Sequence, residues 1–199
     1  MTKERLNFKK QFQLHKACAT DNVRPVLNYI LFRNGYAYAT DAHIVVRAKI
    51  EDISTFNPEQ IEMLEGHLLH RKKYEMLLKY NTVAVEKNMA TNEEGKLVET
   101  AQFRVYGEDN EDIIIPMHKE GDGYKYPNPE TILNKKVGGG NIPCIGFKIR
   151  LLSRLSDAMG GINIVEMHFT NKSAQIEVTS KGELEYQDVR GIIMPVLVD

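Results

Sequence analysis

The sequence predicts an α+β fold in which a helix is followed by antiparallel strands, and this unit occurs three times. Basic windows with helical spacing lie at 1–19, 66–79 and 147–158, and each precedes sequence rich in β-branched and aromatic residues. The second and third units also end alike, in IIIPM (113–117) and IIMPVLV (192–198). Repetition of one supersecondary unit is stronger evidence than any single helix or strand. We expect the helices to share one face of the sheets.

The first unit begins with a predicted helix in which apolar side chains from Phe8 to Ala19 follow helical spacing. Strands are expected within 26–50, with Asn34-Gly35 as a hairpin turn. Thr40, Asp41 and His43 then interrupt two apolar runs. We interpret this break as a second turn, which Asp41 organises through local hydrogen bonds.

The second unit has a predicted short helix starting at Asn57-Pro58, where Asn is a good cap and Pro fits the first turn. A basic helix follows, because Tyr74, Leu77 and Leu78 form an apolar stripe. Three strand-like segments come next, with a turn at 92–95.

The third unit contains a helix whose apolar side chains run from Phe147 to Ala158 and which Gly160-Gly161 ends. Before it, residues 118–146 are rich in Gly, Pro and Asn, with a short helical turn expected at 128–133. We therefore place a boundary near residue 118, giving domains 1–118 and 119–199.

The composition is that of an ordinary folded protein, 42% hydrophobic and 27% charged over 199 residues. Apolar runs are far shorter than the roughly 20 residues of a membrane helix. The N-terminus lacks the apolar core of a signal peptide, so we expect a cytoplasmic location and no membrane partner. Cys18 and Cys144 stand apart from any CxxC motif and are expected to be reduced thiols.

Asp41 and His43 suggest a catalytic pair, since residues two apart on a strand point the same way. A small hydrolase using both remains the weakest alternative, because no GxSxG or reactive-Cys context accompanies them. We expect the protein not to be an enzyme.

Metal and cofactor motifs are incomplete. His67 and His70 lack further ligands, and we expect solvated positions there. VGGGN (137–141) lacks the Lys-Ser/Thr of a phosphate loop, and GEDNED (107–112) lacks calcium-loop spacing. We expect no metal and no cofactor.

Positive charge is concentrated although the net charge is −1. The three basic windows carry net charges of +4, +3 and +2, which leaves −10 for the rest of the chain. Helices of this kind, side by side, would attract a phosphate backbone without reading its sequence. The residues expected to face DNA are Lys9, Lys16, Arg71, Lys72, Lys79, Arg150 and Arg154.

Three segments, in this order, resemble bacterial DNA polymerase sliding clamps. Residues 24–50 are similar to a clamp hairpin with a Thr-Asp-Gly-His-like tip, in which Ala42 stands where Gly is usual. Residues 124–133 (YKYPNPETIL) resemble the Tyr/Phe-Pro segment at a clamp domain boundary. Residues 147–160 and 187–199 resemble the last clamp helix and the terminal Met-Pro strand.

The resemblance implies a DNA replication processivity factor, with helices lining a hole for duplex DNA and sheets outside. It also implies a homo-oligomeric ring; if twelve units form one, four chains of three would supply them. Clamps present a groove for short peptides of polymerases and other replication proteins near the terminal strand, which here matches Met194, Pro195, Val196 and Leu197. The alternative is a clamp-fold protein-interaction module without DNA binding.

Overall fold

The computed structural model describes residues 6–91, 95–106, 112–121, 123–134, 146–161, 165–169, 174–180 and 189–196. Two 3-10 helices, η1 (Leu14–Ala17) and η2 (Pro25–Asn28), precede the first strand. The helices are α1 (Ile50–Ile53), α2 (Pro58–Leu64), α3 (Arg71–Leu77), α4 (Glu130–Leu133) and α5 (Ile149–Ala158). The strands are β1 (Tyr29–Arg33), β2 (Tyr36–Thr40), β3 (Ile44–Lys49), β4 (His67–His70), β5 (Val83–Thr91), β6 (Leu97–Val105), β7 (Ile113–Pro116), β8 (His118–Lys119), β9 (Val165–His168), β10 (Ile176–Ser180) and β11 (Arg190–Ile193).

One antiparallel sheet of eight strands runs through most of the described chain, in the order β8-β4-β1-β2-β3-β11-β10-β9. Its centre is the pairing of β3 with β11, in which Val45 lies opposite Ile192. Strands from both sides of residue 118 therefore share this sheet, and the division into domains 1–118 and 119–199 stays a prediction. The α+β class with antiparallel strands is confirmed.

The β1–β2 hairpin forms at the Asn34-Gly35 turn that the sequence predicts. Both residues have positive φ, 53° for Asn34 and 76° for Gly35. This backbone matches the twist of the flanking strands, which explains the preference for Asn-Gly there. It aligns Arg33 with Tyr36 and so fixes the register of the sheet.

A smaller antiparallel sheet, β5-β6-β7, packs onto the same core as one face of the eight-stranded sheet. Phe8 lies between them, with its ring centroid 6.0 Å from Phe32 of β1 and 5.8 Å from Phe103 of β6. The segment before η1 thus joins the two sheets.

Side-chain alternation divides the eight-stranded sheet into two faces. Ile30 and Phe32 enter the main core with α3, α5 and the smaller sheet. Leu31, between them, points to a second cluster on the other face, where Tyr126 and Leu133 of the 124–133 segment pack. The predicted helical turn at 128–133 is present as α4 and covers this second face.

The predicted helix from Phe8 to Ala19 is wrong: the described segment is extended, and helical structure is limited to η1. Phe8 forms a bridge with Ser54, and Phe12 is fully buried. Apolar residues four apart therefore fill the core from an extended chain, because tertiary packing outweighs the local helical pattern.

The other predicted helices are confirmed as α2, α3 and α5. At α2, Asn57 Oδ1 accepts from Gln60 N at 2.9 Å and Gln60 Oε1 accepts from Asn57 N at 3.2 Å, a complete capping box. His67 and His70 lie on strand β4, not on a helix, and His67 is buried, so its predicted solvation is wrong.

Parts of some predictions lie outside the described residues. They are the Gly-rich segment 137–141, residues 107–111 of the acidic stretch, residues 92–94 of the turn at 92–95, Cys144 and Leu197.

Candidate nucleic-acid interface

Helices α3 and α5 lie on the same side of the eight-stranded sheet, and both contact η1 between them. The apolar sides of the two helices, including Tyr74 and Leu155, are fully buried in the main core. Their remaining sides face away from the sheet. We call this surface, formed by α3, η1 and α5, the basic helix face.

Two buried polar contacts fix α3 to the segment before η1. The Tyr74 hydroxyl donates to the Phe12 carbonyl at 2.8 Å. The buried Asn7 side chain donates to the carbonyls of Leu77 and Tyr80, at 2.6 and 2.9 Å, where α3 ends. These bonds satisfy carbonyls that the helix itself leaves open, so the position of α3 is well specified.

Cations dominate the exposed side of α3. Lys72, Lys73 and Lys79 are exposed, and Arg71 is partly exposed. No acidic residue lies in the first turn, which is unfavourable for the helix because its N-terminus already carries partial positive charge. Burial, together with the adjacent cations, lowers the pKa of His70, whose Nδ1 accepts from Lys72 N at 3.3 Å.

On α5, Arg150 is exposed and Arg154 is bound within the protein. Arg154 Nε donates to the Lys16 carbonyl at 2.9 Å, and Nη1 pairs with Asp41 Oδ2 at 2.9 Å. Lys16 Nζ pairs with Asp157 Oδ2 at 2.8 Å. Arg154 and Lys16 therefore attach α5 to η1.

The turn between β2 and β3 is built by Thr40 and Asp41, as the sequence predicts. Asp41 Oδ1 accepts from the backbone N–H groups of His43 and Ile44, at 2.9 and 3.0 Å. Thr40 Oγ1 donates to the Ile44 carbonyl at 2.7 Å, and Ala42 has φ of +74°. The Asp41 carboxylate thus holds backbone and Arg154, which does not support the hydrolase alternative.

The residues expected to face DNA fall into three groups. Arg71, Lys72, Lys79 and Arg150 project from the two helices, whereas Lys16 and Arg154 sit at their junction with intramolecular partners. Lys9 lies on the extended segment, where its backbone N–H donates to the Ile53 carbonyl at 2.7 Å. Two exposed cations, Lys73 and Lys148, were missed; both lie in the basic windows, and the charge pattern alone could have included them.

The chain after β11 runs past the β2–β3 turn. Met194 N donates to the His43 carbonyl at 2.9 Å, and Met194 and Val196 are exposed. Pro195, between them, is partly exposed.

A cavity of about 250 Å³ lies between the β2–β3 turn and the 127–132 segment. Sequence reasoning missed it, because it requires the Tyr-Pro segment to fold against the turn. Its lining is largely apolar: Arg24, Leu27, Thr40, Ala42, Val45, Pro127, Pro129 and Ile132.

Within the described ranges, no three His, Cys, Asp or Glu side chains are grouped so that they could hold a metal ion. None of the described helices has the length and apolar character needed to cross a membrane.

No protein-family model and no curated protein matches the sequence. Among solved structures, a beta clamp of H. pylori, solved in complex with diflunisal, matches 97% of this chain at 12% identity and a TM-score of 0.56. The DNA polymerase III subunit beta of Pseudomonas aeruginosa matches 95% at 16% identity and a TM-score of 0.47. The match spans 66% and 64% of those chains. The first likeness shows that this chain has a beta-clamp fold.

Proposed function

We propose that this protein is a clamp-like processivity factor for DNA replication, which binds duplex DNA without sequence preference on its basic helix face. It acts without catalytic chemistry, as a homo-oligomer in the cytoplasm. The H. pylori and P. aeruginosa proteins carry names of replication clamps, and this chain shares their architecture over about two thirds of their length.

The observation that carries the proposal is the convergence of α3 and α5 on η1, since it brings two basic windows of the sequence onto one surface. Lys72, Lys73 and Arg150 project from that surface. Cations in the first turn of α3 cost helix stability, which supports a role outside the fold.

Such a surface would act by releasing counterions from the phosphate backbone. Lysine and arginine on helices bind phosphates of any sequence, since base edges are not read. A ring would retain DNA by topology, so a weakly attractive bore would suffice.

The test is duplex binding as a function of salt. The double variant Lys72→Gln/Arg150→Gln should bind more weakly than wild type, with the slope of log K against log salt reduced in magnitude by about 2. Lys125→Gln is the matched control: this exposed lysine lies beside Tyr126, on the opposite sheet face. An unchanged slope in the double variant would refute the basic helix face as the DNA site, and wild type that binds no duplex would favour the interaction-module alternative.

The proposal includes docking of a short apolar peptide from a polymerase or other replication protein near Met194, Pro195, Val196 and Leu197. The exposed Met194 and the cavity beside the β2–β3 turn support it. A pentapeptide selected from a random library against wild type should lose binding to Ile132→Glu, which places charge in the cavity wall. Unchanged peptide binding in that variant would exclude the cavity as the docking site.

A further inference from the structure

Four aromatic rings cluster at one edge of the eight-stranded sheet, where the basic helix face does not use them. Tyr29 of β1 contacts His70, His118 and Tyr124 edge-on, with ring centroids 5.0, 5.5 and 5.4 Å away. His118 and Tyr124 lie nearly parallel, 4.4 Å apart and tilted by 31°. We call these four residues the aromatic edge.

The backbone places this cluster at an open boundary. His118 belongs to β8, the terminal strand of the sheet, and is exposed. The chain then folds back, and Gly121 N donates to the Tyr124 carbonyl at 3.0 Å, which brings Tyr124 beside His118. The exposed imidazole therefore ends a stacked pair that another flat ring can extend.

Positive charge flanks the aromatic edge on two sides. Lys125 is exposed next to Tyr124, and His70 directly precedes the cations Arg71 to Lys73 of α3. The neighbouring Glu120 is paired with Arg33, which offsets its charge. Aromatic rings beside cations are the combination with which proteins hold single strands, since bases stack on the rings and phosphates meet the charges.

We propose that the aromatic edge binds single-stranded DNA, with a base stacked on His118 and Tyr124 and the phosphates near Lys125 and the start of α3. This site is separate from duplex binding. A clamp-like protein with both sites would hold a duplex and the single strand that continues from it.

The test measures binding of a fluorescein-labelled oligo(dT) of about 12 nucleotides at low salt, with the intact chain. His118→Ala should weaken binding about fivefold or more, which is the loss of one base stack. His118→Phe keeps a ring at the same position and should bind within about twofold of wild type. Lys125→Glu should also weaken oligo(dT) binding.

A duplex of the same length separates this site from the basic helix face. Arg150→Gln should weaken duplex binding and leave oligo(dT) binding unchanged, and His118→Ala should do the reverse. The proposal is overturned if wild type binds no oligo(dT), or if His118→Ala binds it as wild type does. It is also overturned if Arg150→Gln weakens both ligands equally, because one surface would then hold both. The duplex results stand in each case, so the two proposals fail separately.

Discussion

Arg154 joins three parts of the fold through one guanidinium group. It donates to the Lys16 carbonyl of η1 and pairs with Asp41 of the β2–β3 turn, whose side chain is only 10% exposed. Removing the arginine would leave that buried carboxylate without its partner. Charge reversal at Arg154 would therefore alter the fold as well as any DNA contact, and Arg150 is the cleaner position for testing DNA binding.

Ala42 occupies a backbone conformation that L-residues avoid, with φ of +74°. Ala42→Gly should stabilise the protein by roughly 0.5–1 kcal/mol, because relief of the left-handed strain exceeds the added freedom of the unfolded chain. Urea unfolding measures the change. Ala39→Gly, in the buried β2 strand, is the control and should destabilise. Equal destabilisation by both would show that the strain at Ala42 is offset elsewhere.

At the residue scale, the sequence was informative where chemistry is local. Asp41 organises its turn as predicted, since a carboxylate and the next two N–H groups need no distant partner. The pairing of Asp41 with Arg154, 113 positions along the chain, could not be predicted, because it depends on how α5 packs. The same limit applies to Lys16 and Asp157.

Among the elements, α3 carries the clearest conflict between stability and proposed function. Its first turn holds Arg71, Lys72 and Lys73 and no acidic residue. Lys72→Gln/Lys73→Gln should raise the melting temperature, by relieving about 0.3–1 kcal/mol of unfavourable helix-dipole energy per charge, and should weaken duplex binding. Thermal unfolding and duplex binding of one preparation test both effects. A lower melting temperature would show that these lysines stabilise the fold.

Elements with strong local signals were predicted: the Asn34-Gly35 hairpin, the Asn57 cap of α2, and the stripes of α3 and α5. The segment from Phe8 to Ala19 was not, because spacing of four residues fits a helix and also fits an extended chain that inserts Phe8 and Phe12 into the core. Contacts such as Tyr74 to Phe12 decide between them, and these are visible only in the fold.

At the scale of the molecule, the repeated helix-and-strand units predicted the fold class but not how they join. The third unit adds β11, β10 and β9 to the edge of β3, so one sheet continues across the predicted boundary at residue 118. The basic windows came together on α3, η1 and α5, whereas the cavity and the aromatic edge depend on folding of residues 118–133.

The most direct test of the clamp-like account is native mass spectrometry of the intact chain with and without a short duplex. Each chain has a mass of 22.7 kDa. The account predicts an assembly of several chains that takes up one duplex, with uptake reduced in Lys72→Gln/Arg150→Gln. A single 22.7-kDa chain without DNA, at every protein concentration and at low salt, would contradict it.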